Sequence, residues 1–194
     1  MRVRVSLLCS GAALALAGCA SLTAPDTSGP SAGVPAGSSF ELAGRLSVKY
    51  EEKGFSGNLR WQHKDAADFV TIASPLGQTA AQLSSDAQGA QLITADRKVY
   101  YALSIEALVK EALGWELPIT GLSYWALGHP APGTPVNVRE RDAQGRLSHF
   151  VQDSWEVSIT SYAAAEGGAR PARMQLNYGN NLEIRLAIDE LKTN

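Results

Sequence analysis

The chain has 194 residues and a formal charge of −2, from 17 Lys and Arg against 19 Asp and Glu. This balance, with no basic run, argues against nucleic acid as a partner. The two cysteines, Cys9 and Cys19, both lie near the start of the chain, which excludes a disulfide-stabilised framework for the remainder.

Residues 1–18 have the pattern of an export leader. Arg2 and Arg4 precede an apolar run at 5–17, which is too short to cross a bilayer, since that takes about 20 residues. We therefore expect this segment to be a cleaved signal peptide and not a membrane-spanning helix.

The end of the leader, Leu16-Ala17-Gly18-Cys19, resembles a bacterial lipobox. In that motif the chain is cut before the cysteine, which then carries the lipid. We therefore expect Cys19 to be acylated and to anchor the protein; the alternative is an ordinary signal peptide with an incidental cysteine. No aspartate follows Cys19, which by the same resemblance favours the outer membrane.

The next segment, residues 19–38, is rich in small residues, Pro and Gly. Such a composition cannot build a core, so we expect a lipidated flexible linker. The folded domain is then expected at 39–194, a length sufficient for one domain with its own core.

The domain begins with period-two alternation of apolar and polar residues. Residues 40–51 and 55–64 both show it, with a turn at 52–54 between them. Such alternation predicts a long hairpin with one solvent-exposed face. Further strands are predicted at 68–74, 78–84, 90–95, 98–102, 147–151, 155–162, 172–178 and 182–188.

Between these two groups of strands the period becomes helical. Ser104 can cap a helix at 105–113 that ends at Gly114, and a second short helix is predicted at 119–127. Short connections make neighbouring strands antiparallel. We therefore predict a mainly β fold, a curved antiparallel sheet forming an incomplete barrel whose helices cover a concave apolar cavity.

One turn carries an unusual residue. In Ser74-Pro75-Leu76-Gly77 the proline and glycine predict a turn, yet its tip is an apolar leucine. Leu76 could fold back onto the sheet or could be exposed for a function.

Several stretches in combination resemble the LolB family of outer-membrane lipoprotein receptors. The combination is specific although no single stretch is, and the resemblance spans the chain from Cys19 to the C-terminal strands. They are Gly44-Arg45-Leu46-Ser47-Val48, Gly57-Asn58-Leu59-Arg60-Trp61, Ser74-Pro75-Leu76-Gly77, and the run from Leu117 to Gly128.

The resemblance implies a function. A member of this family receives lipoproteins from a periplasmic LolA-type carrier, holds their acyl chains in an apolar cavity and inserts them into the outer membrane. The family's leucine on a protruding loop matches Leu76, so the membrane-insertion loop is expected at Pro75, Leu76 and Gly77. Leu46, Val48, Leu59 and Trp61 are candidates for the cavity wall, although core packing is the alternative for each.

The same resemblance sets the expected partners. They are the carrier, acylated lipoproteins as cargo and the periplasmic face of the outer membrane, with the protein acting as a monomer. No cofactor is expected beyond the covalent lipid on Cys19, and no metal, since His63, His129 and His149 have no metal-ligand spacing.

Two other classes of function remain open from the sequence. One is an enzyme, for which His149, Asp153 and a nearby serine could be drawn as a triad. The other is a lipocalin-like binder of a free lipid or small apolar molecule, or a purely structural lipoprotein.

Overall fold

A computed structural model describes residues 37–165 and 168–193. The predicted leader, the lipid-bearing Cys19 and the linker up to residue 36 lie outside the described residues. The anchor and the domain boundaries therefore stay predictions.

The described residues form eleven strands and two helices. In chain order they are β1 (Phe40–Tyr50), β2 (Lys53–Lys64), β3 (Ala67–Ala73), β4 (Thr79–Asp86), β5 (Gly89–Thr94), β6 (Val99–Ala102), α1 (Ile105–Leu113), α2 (Ile119–Trp125), β7 (Val136–Arg141), β8 (Leu147–Gln152), β9 (Trp155–Ala165), β10 (Gly168–Tyr178) and β11 (Leu182–Thr193).

All the strands belong to one antiparallel sheet, in the order β6-β5-β4-β3-β2-β1-β11-β10-β9-β8-β7. The first and last strands pair with each other, with Leu46 opposite Leu186, and this joins the two halves of the chain. The edge strands are β6 and β7, and the connection between them carries both helices. The predicted incomplete barrel is confirmed.

Two glycines on the inner face allow the sheet to curl tightly. A Cβ on Gly44 would clash with the carbonyl oxygen of Ala187, and one on Gly57 would clash with that of Ala73. The register of β1 on β11 also shifts between Ala43 and Gly44, and such a bulge increases local twist. The backbones therefore approach more closely here than a side chain would permit.

The two helices are capped and tied to each other. The Ser104 hydroxyl accepts a hydrogen bond from the Ala107 amide at 3.2 Å, and Gly114 ends α1 in the left-handed conformation at φ 78°. The Glu106 carboxylate on α1 accepts hydrogen bonds from both the amide (3.1 Å) and the hydroxyl (2.9 Å) of Thr120 on α2. Glu106 of the first helix thus accepts the hydrogen bonds at the start of the second helix, because Pro118 at the N-cap position has no side-chain acceptor.

The helices and the inner face of the sheet share one hydrophobic core. Phe40 and Trp61 from the sheet are 1% exposed, and Trp125 of α2 and Phe150 of β8 are fully buried. Since residues 37–165 and 168–193 contain no cysteine and hence no disulfide, this packing is the main source of stability of the described domain.

The structure departs from the predicted elements in several places. The last strand, β11, runs to Thr193 and so exceeds the predicted 182–188. The strand β7 was not predicted, because it is an edge strand with almost no buried face to impose alternation. The strand β10 begins at Gly168, before Pro171, and a register shift against β9 accommodates that proline. The helix α2 ends at Trp125, two residues before the predicted end.

Candidate lipid-binding cavity and exposed loop

A cavity of about 380 Å³ lies between the inner face of the sheet and the connection that carries the helices. One wall comes from β1, β2, β3, β4 and β5, and the opposite wall comes from Val109 of α1 and the segment that follows it. The residues that line it are Leu46, Val48, Tyr50, Lys53, Gly54, Phe55, Ile72, Ala80, Ala81, Leu83, Leu92, Thr94, Val109, Trp115 and Leu117.

The wall of this cavity is almost entirely apolar. Lys53 is the charged residue among those that line it. The buried polar side chains of the described residues, namely Ser123, Gln152 and Arg170, do not line it. A ligand would therefore be held mainly by apolar contact and shape, since few of the lining residues, among them Tyr50, Lys53 and Thr94, carry polar side-chain groups.

The four sequence candidates for the wall divide into two pairs. Leu46 and Val48 line the cavity. Leu59 and Trp61 share their face of the sheet but are buried in the core outside the cavity. The Trp61 indole packs edge-to-face on Phe40, with ring centroids 4.9 Å apart, and donates a hydrogen bond to Asp68 at 2.7 Å.

The open end of the cavity is marked by its exposed lining residues, Lys53, Gly54 and Phe55, which we call the cavity mouth. A side chain on Gly57 would meet both the Phe55 ring and the carbonyl oxygen of Ala73. The end of β3 therefore lies beside the mouth, and the loop that follows β3 starts there.

That loop, residues 74–78, is a tight and well-bonded turn. The Gly77 amide donates to the Ser74 carbonyl oxygen at 2.8 Å, and the Ser74 amide donates to the Gln78 carbonyl oxygen at 2.7 Å. Pro75 takes the second position of the turn, and Gly77 has φ +85°, a backbone conformation that suits glycine.

At the tip of this turn the Leu76 side chain is 90% exposed. It does not fold back onto the sheet, so that alternative is wrong. Burial of this side chain in an apolar phase would yield about 1.5–3 kcal/mol. The rigid turn presents Leu76 to solvent, four residues before Ala80 of the cavity wall.

Sequence reasoning predicted that helices cover the cavity but did not identify the residues of this wall. Val109 lies on the predicted first helix, whereas Trp115 and Leu117 fall in the connection between the helices, where no periodicity assigns a face. The one available signal was the pair of large apolar residues in a short loop, which would be costly to leave in water.

His149 does not form the catalytic triad considered from the sequence, and His63 also pairs with another residue. The His149 Nε2 atom lies 2.9 Å from the Glu156 carboxylate, and the His63 Nδ1 atom lies 2.8 Å from Asp68. Across residues 37–165 and 168–193, no group of three or more His, Cys, Asp or Glu is placed to hold a metal. In the same ranges no helix has the length and apolar character needed to span a bilayer.

Comparison with known proteins identifies the family. The family model described as "Outer membrane lipoprotein LolB" matches residues 38–190. The chain belongs to the LolB family. It is 39% identical over 151 residues to the outer-membrane lipoprotein LolB of Azoarcus sp. (strain BH72), covering 78% of this chain and 77% of that protein. It is 37% identical over 179 residues to LolB of Thiobacillus denitrificans, covering 91% of each.

A solved structure supports the fold of this LolB-family chain. A LolA superfamily protein from Nitrosomonas europaea superimposes with a TM-score of 0.53, covering 84% of this chain and 89% of that one, at 10% sequence identity. At that identity the likeness concerns the fold alone. An incomplete barrel is thus shared between this LolB-family chain and a LolA superfamily protein.

Proposed function

We propose that this outer-membrane lipoprotein receives acylated lipoproteins from a LolA-type periplasmic carrier, shelters their acyl chains in the cavity and passes them to the membrane. The observation that carries the proposal is the position of a rigid turn that exposes Leu76 beside the mouth of an apolar cavity. Membership of the LolB family supports the same function.

The cavity suits the cargo because acyl chains are costly to expose. Each buried CH₂ is worth about 0.8 kcal/mol, so several chains left in water would cost tens of kcal/mol. A predominantly apolar wall can accept any such chain. Transfer then needs no energy source if affinity rises from carrier to receptor to membrane.

The volume of the cavity requires the lid to move. At about 380 Å³ it lies near the lower end of the 300–1,000 Å³ typical of sites for single drug-sized ligands. By the family resemblance, a cargo lipoprotein carries about three acyl chains. Three chains need more room than this cavity offers. The movable wall in this proposal is α1 with Trp115, because α1 packs on β4, β5 and β6 near one edge of the sheet.

The role of Leu76 is to bring the cavity mouth to the bilayer. A contribution of about 1.5–3 kcal/mol is too small to anchor a protein, and the lipid on Cys19 is assigned that task. The contribution of Leu76 is enough to favour contact between the turn and the acyl region and to disturb the bilayer locally.

The test is transfer of a lipoprotein from its carrier to liposomes by the Leu76→Glu variant. We expect the variant to fold and to take cargo from the carrier but to fail to release it into liposomes. The matched control is Leu103→Glu. Leu103 is 93% exposed and lies just after β6, at the end of the sheet opposite to the Leu76 turn. The control should transfer normally.

Normal transfer by Leu76→Glu would contradict the membrane step. Failure of the unmodified protein to accept a lipoprotein, together with tight binding of a free fatty acid, would contradict the function and favour a binder of free lipid.

A further inference from the structure

A groove of about 410 Å³ crosses the outer face of the sheet, on the side away from the cavity. It is lined by three arginines, Arg45 of β1, Arg173 of β10 and Arg185 of β11, and also by Pro75. No aspartate or glutamate is among its lining residues. We call this surface the arginine groove.

The strand register brings the three arginines together. Ala187 pairs with Arg45 on one side and with Arg173 on the other. Strands lie about 4.8 Å apart, so these two arginines stand about 10 Å apart across a small residue. Arg185 lies two positions from Ala187 on the same face, about 7 Å along the strand. All three side chains are exposed and surround Ala187 on the outer face of the sheet.

The positive charge of the groove is only partly compensated. Arg45 pairs with Asp189 at 3.2 Å, and Arg185 pairs with Glu183 at 2.8 Å. Arg173 takes part in no ion pair among the described residues. The chain as a whole carries −2, whereas the lining of the groove is positive, with Arg173 as its unpaired cation among the described residues.

The groove lies directly behind the membrane loop. Pro75, which lines it, is the residue before Leu76, so a membrane reached by Leu76 places its headgroups near the arginines. Guanidinium groups bind phosphate through paired hydrogen bonds and attract anionic surfaces.

We propose that the arginine groove binds the phosphate groups of anionic phospholipids in the membrane that Leu76 enters. The proposal rests on the proposed function, since it assigns the headgroup contact to the same docking event. Leu76 supplies apolar contact, and the arginines orient the protein so that the cavity mouth faces the bilayer.

The test measures binding to vesicles by sedimentation. A chain that begins at Ala20 lacks the lipidated Cys19 but retains every described strand and helix and the whole core, so its binding depends on the folded domain. Two kinds of vesicle are compared, one of phosphatidylethanolamine with phosphatidylglycerol and one of phosphatidylethanolamine with phosphatidylcholine.

We expect Arg173→Gln to weaken binding to the anionic vesicles about fivefold, which is the effect of removing one cation near such a surface. Arg173→Gln with Arg185→Gln should weaken it about 25-fold, and added salt should reduce the difference from the unmodified protein. Arg173→Lys should retain most of the binding because it keeps the charge. None of these variants should change binding to the uncharged vesicles.

The matched controls remove the same charge elsewhere. Arg139 is exposed on the far edge strand β7, and Lys64 lies at the opposite end of β2. Arg139→Gln, alone or with Lys64→Gln, should leave binding to anionic vesicles within about twofold of the unmodified protein. Equal losses in the groove and control variants, or no loss in either, would overturn the proposal.

The Leu76→Glu variant on uncharged vesicles separates this proposal from the proposed function. If it binds and transfers normally there, the membrane step itself fails, whatever the arginines do. If Leu76→Glu loses transfer while the arginine variants match their controls, the arginine proposal alone fails.

Discussion

The Trp125 indole donates a hydrogen bond of 2.9 Å to the side-chain oxygen of Gln152, deep in the core. The same oxygen accepts from the Ala131 amide at 2.9 Å, and the Gln152 amide nitrogen donates to the carbonyl oxygens of Ala131 and Thr134. This network ties α2 and the loop after it to β8. By contrast, the polar links of α1 are exposed. They are the Lys110–Glu116 pair and the hydrogen bonds from Thr120 of α2 to Glu106, which must break if α1 moves away from α2. We infer that α2 is the fixed part of the lid and α1 the movable part.

The Gln152→Leu variant tests the fixed part. Leucine keeps the apolar bulk but leaves the Trp125 and Ala131 N–H groups buried without acceptors. Each buried, unsatisfied group costs about 1–3 kcal/mol, so we expect the free energy of unfolding to fall by about 2–4 kcal/mol in urea titrations. Gln62→Leu, on the exposed face of β2, should change it by less than about 0.5 kcal/mol. Equal effects would contradict the importance of the network.

Filling the cavity should block ligand binding without unfolding the protein. Ala81 lines the cavity, and a phenylalanine there would occupy space that an acyl chain needs. We expect Ala81→Phe to weaken binding of a fluorescent fatty acid at least about tenfold. Ala164→Phe, at an exposed position of β9, should bind normally. Undiminished binding by Ala81→Phe would place the ligand elsewhere.

The close approach of β3 to β2 can be tested at Gly57. Alanine at this position would press on the Ala73 carbonyl oxygen and on Phe55, so β3 and its loop must shift. We expect Gly57→Ala to lower the free energy of unfolding by about 1–3 kcal/mol and to slow delivery to liposomes. Gly54→Ala is the control, because its Cβ would meet nothing nearer than the Val48 carbonyl oxygen at 3.9 Å. Similar losses in both variants would refute the steric explanation.

Tyr162 makes stability depend on pH in the alkaline range. Burial, with the nearby Asp142 carboxylate, raises the pKa of Tyr162 from 10.0 to about 12, and its hydroxyl donates to the Leu147 carbonyl oxygen at 2.7 Å. Because the folded protein holds this proton more tightly than the unfolded chain, the contribution is complete below pH 10 and is lost as pH rises toward 12.

The Tyr162→Phe variant isolates this contribution. It should be about 1 kcal/mol less stable below pH 10 because it lacks the hydrogen bond. Its free energy of unfolding should then fall less steeply than that of the unmodified protein between pH 10 and 12. Parallel pH profiles would contradict the link to Tyr162.

The sequence was most informative where one face of a strand is buried. The alternation in β1 and β2 predicted both strands and their inward faces, because burial of every second residue leaves a clear pattern. The same logic failed at β7, whose residues are nearly all exposed. Alternation reports burial, so an edge strand that packs against nothing leaves no signal.

The position of the cavity was beyond sequence reasoning for a related reason. Leu46 and Trp61 lie on the same inner face of the sheet, yet Leu46 lines the cavity and Trp61 fills the core. Which part of the inner face stays open depends on where the helices and the Trp115 segment lie, which is set by tertiary packing. The exposed turn at Leu76 was easier to predict from the sequence, since Pro75 and Gly77 define it locally.

The most direct test of the account is photo-crosslinking of cargo from two neighbouring positions of β3. Ile72 lines the cavity, and Thr71 points to the outer face of the sheet. A photoreactive amino acid at Ile72 should crosslink to the acyl chains of a lipoprotein received from the carrier, whereas the same group at Thr71 should not. Crosslinking to the acyl chains from Thr71 and not from Ile72 would contradict the claim that the cavity shelters them.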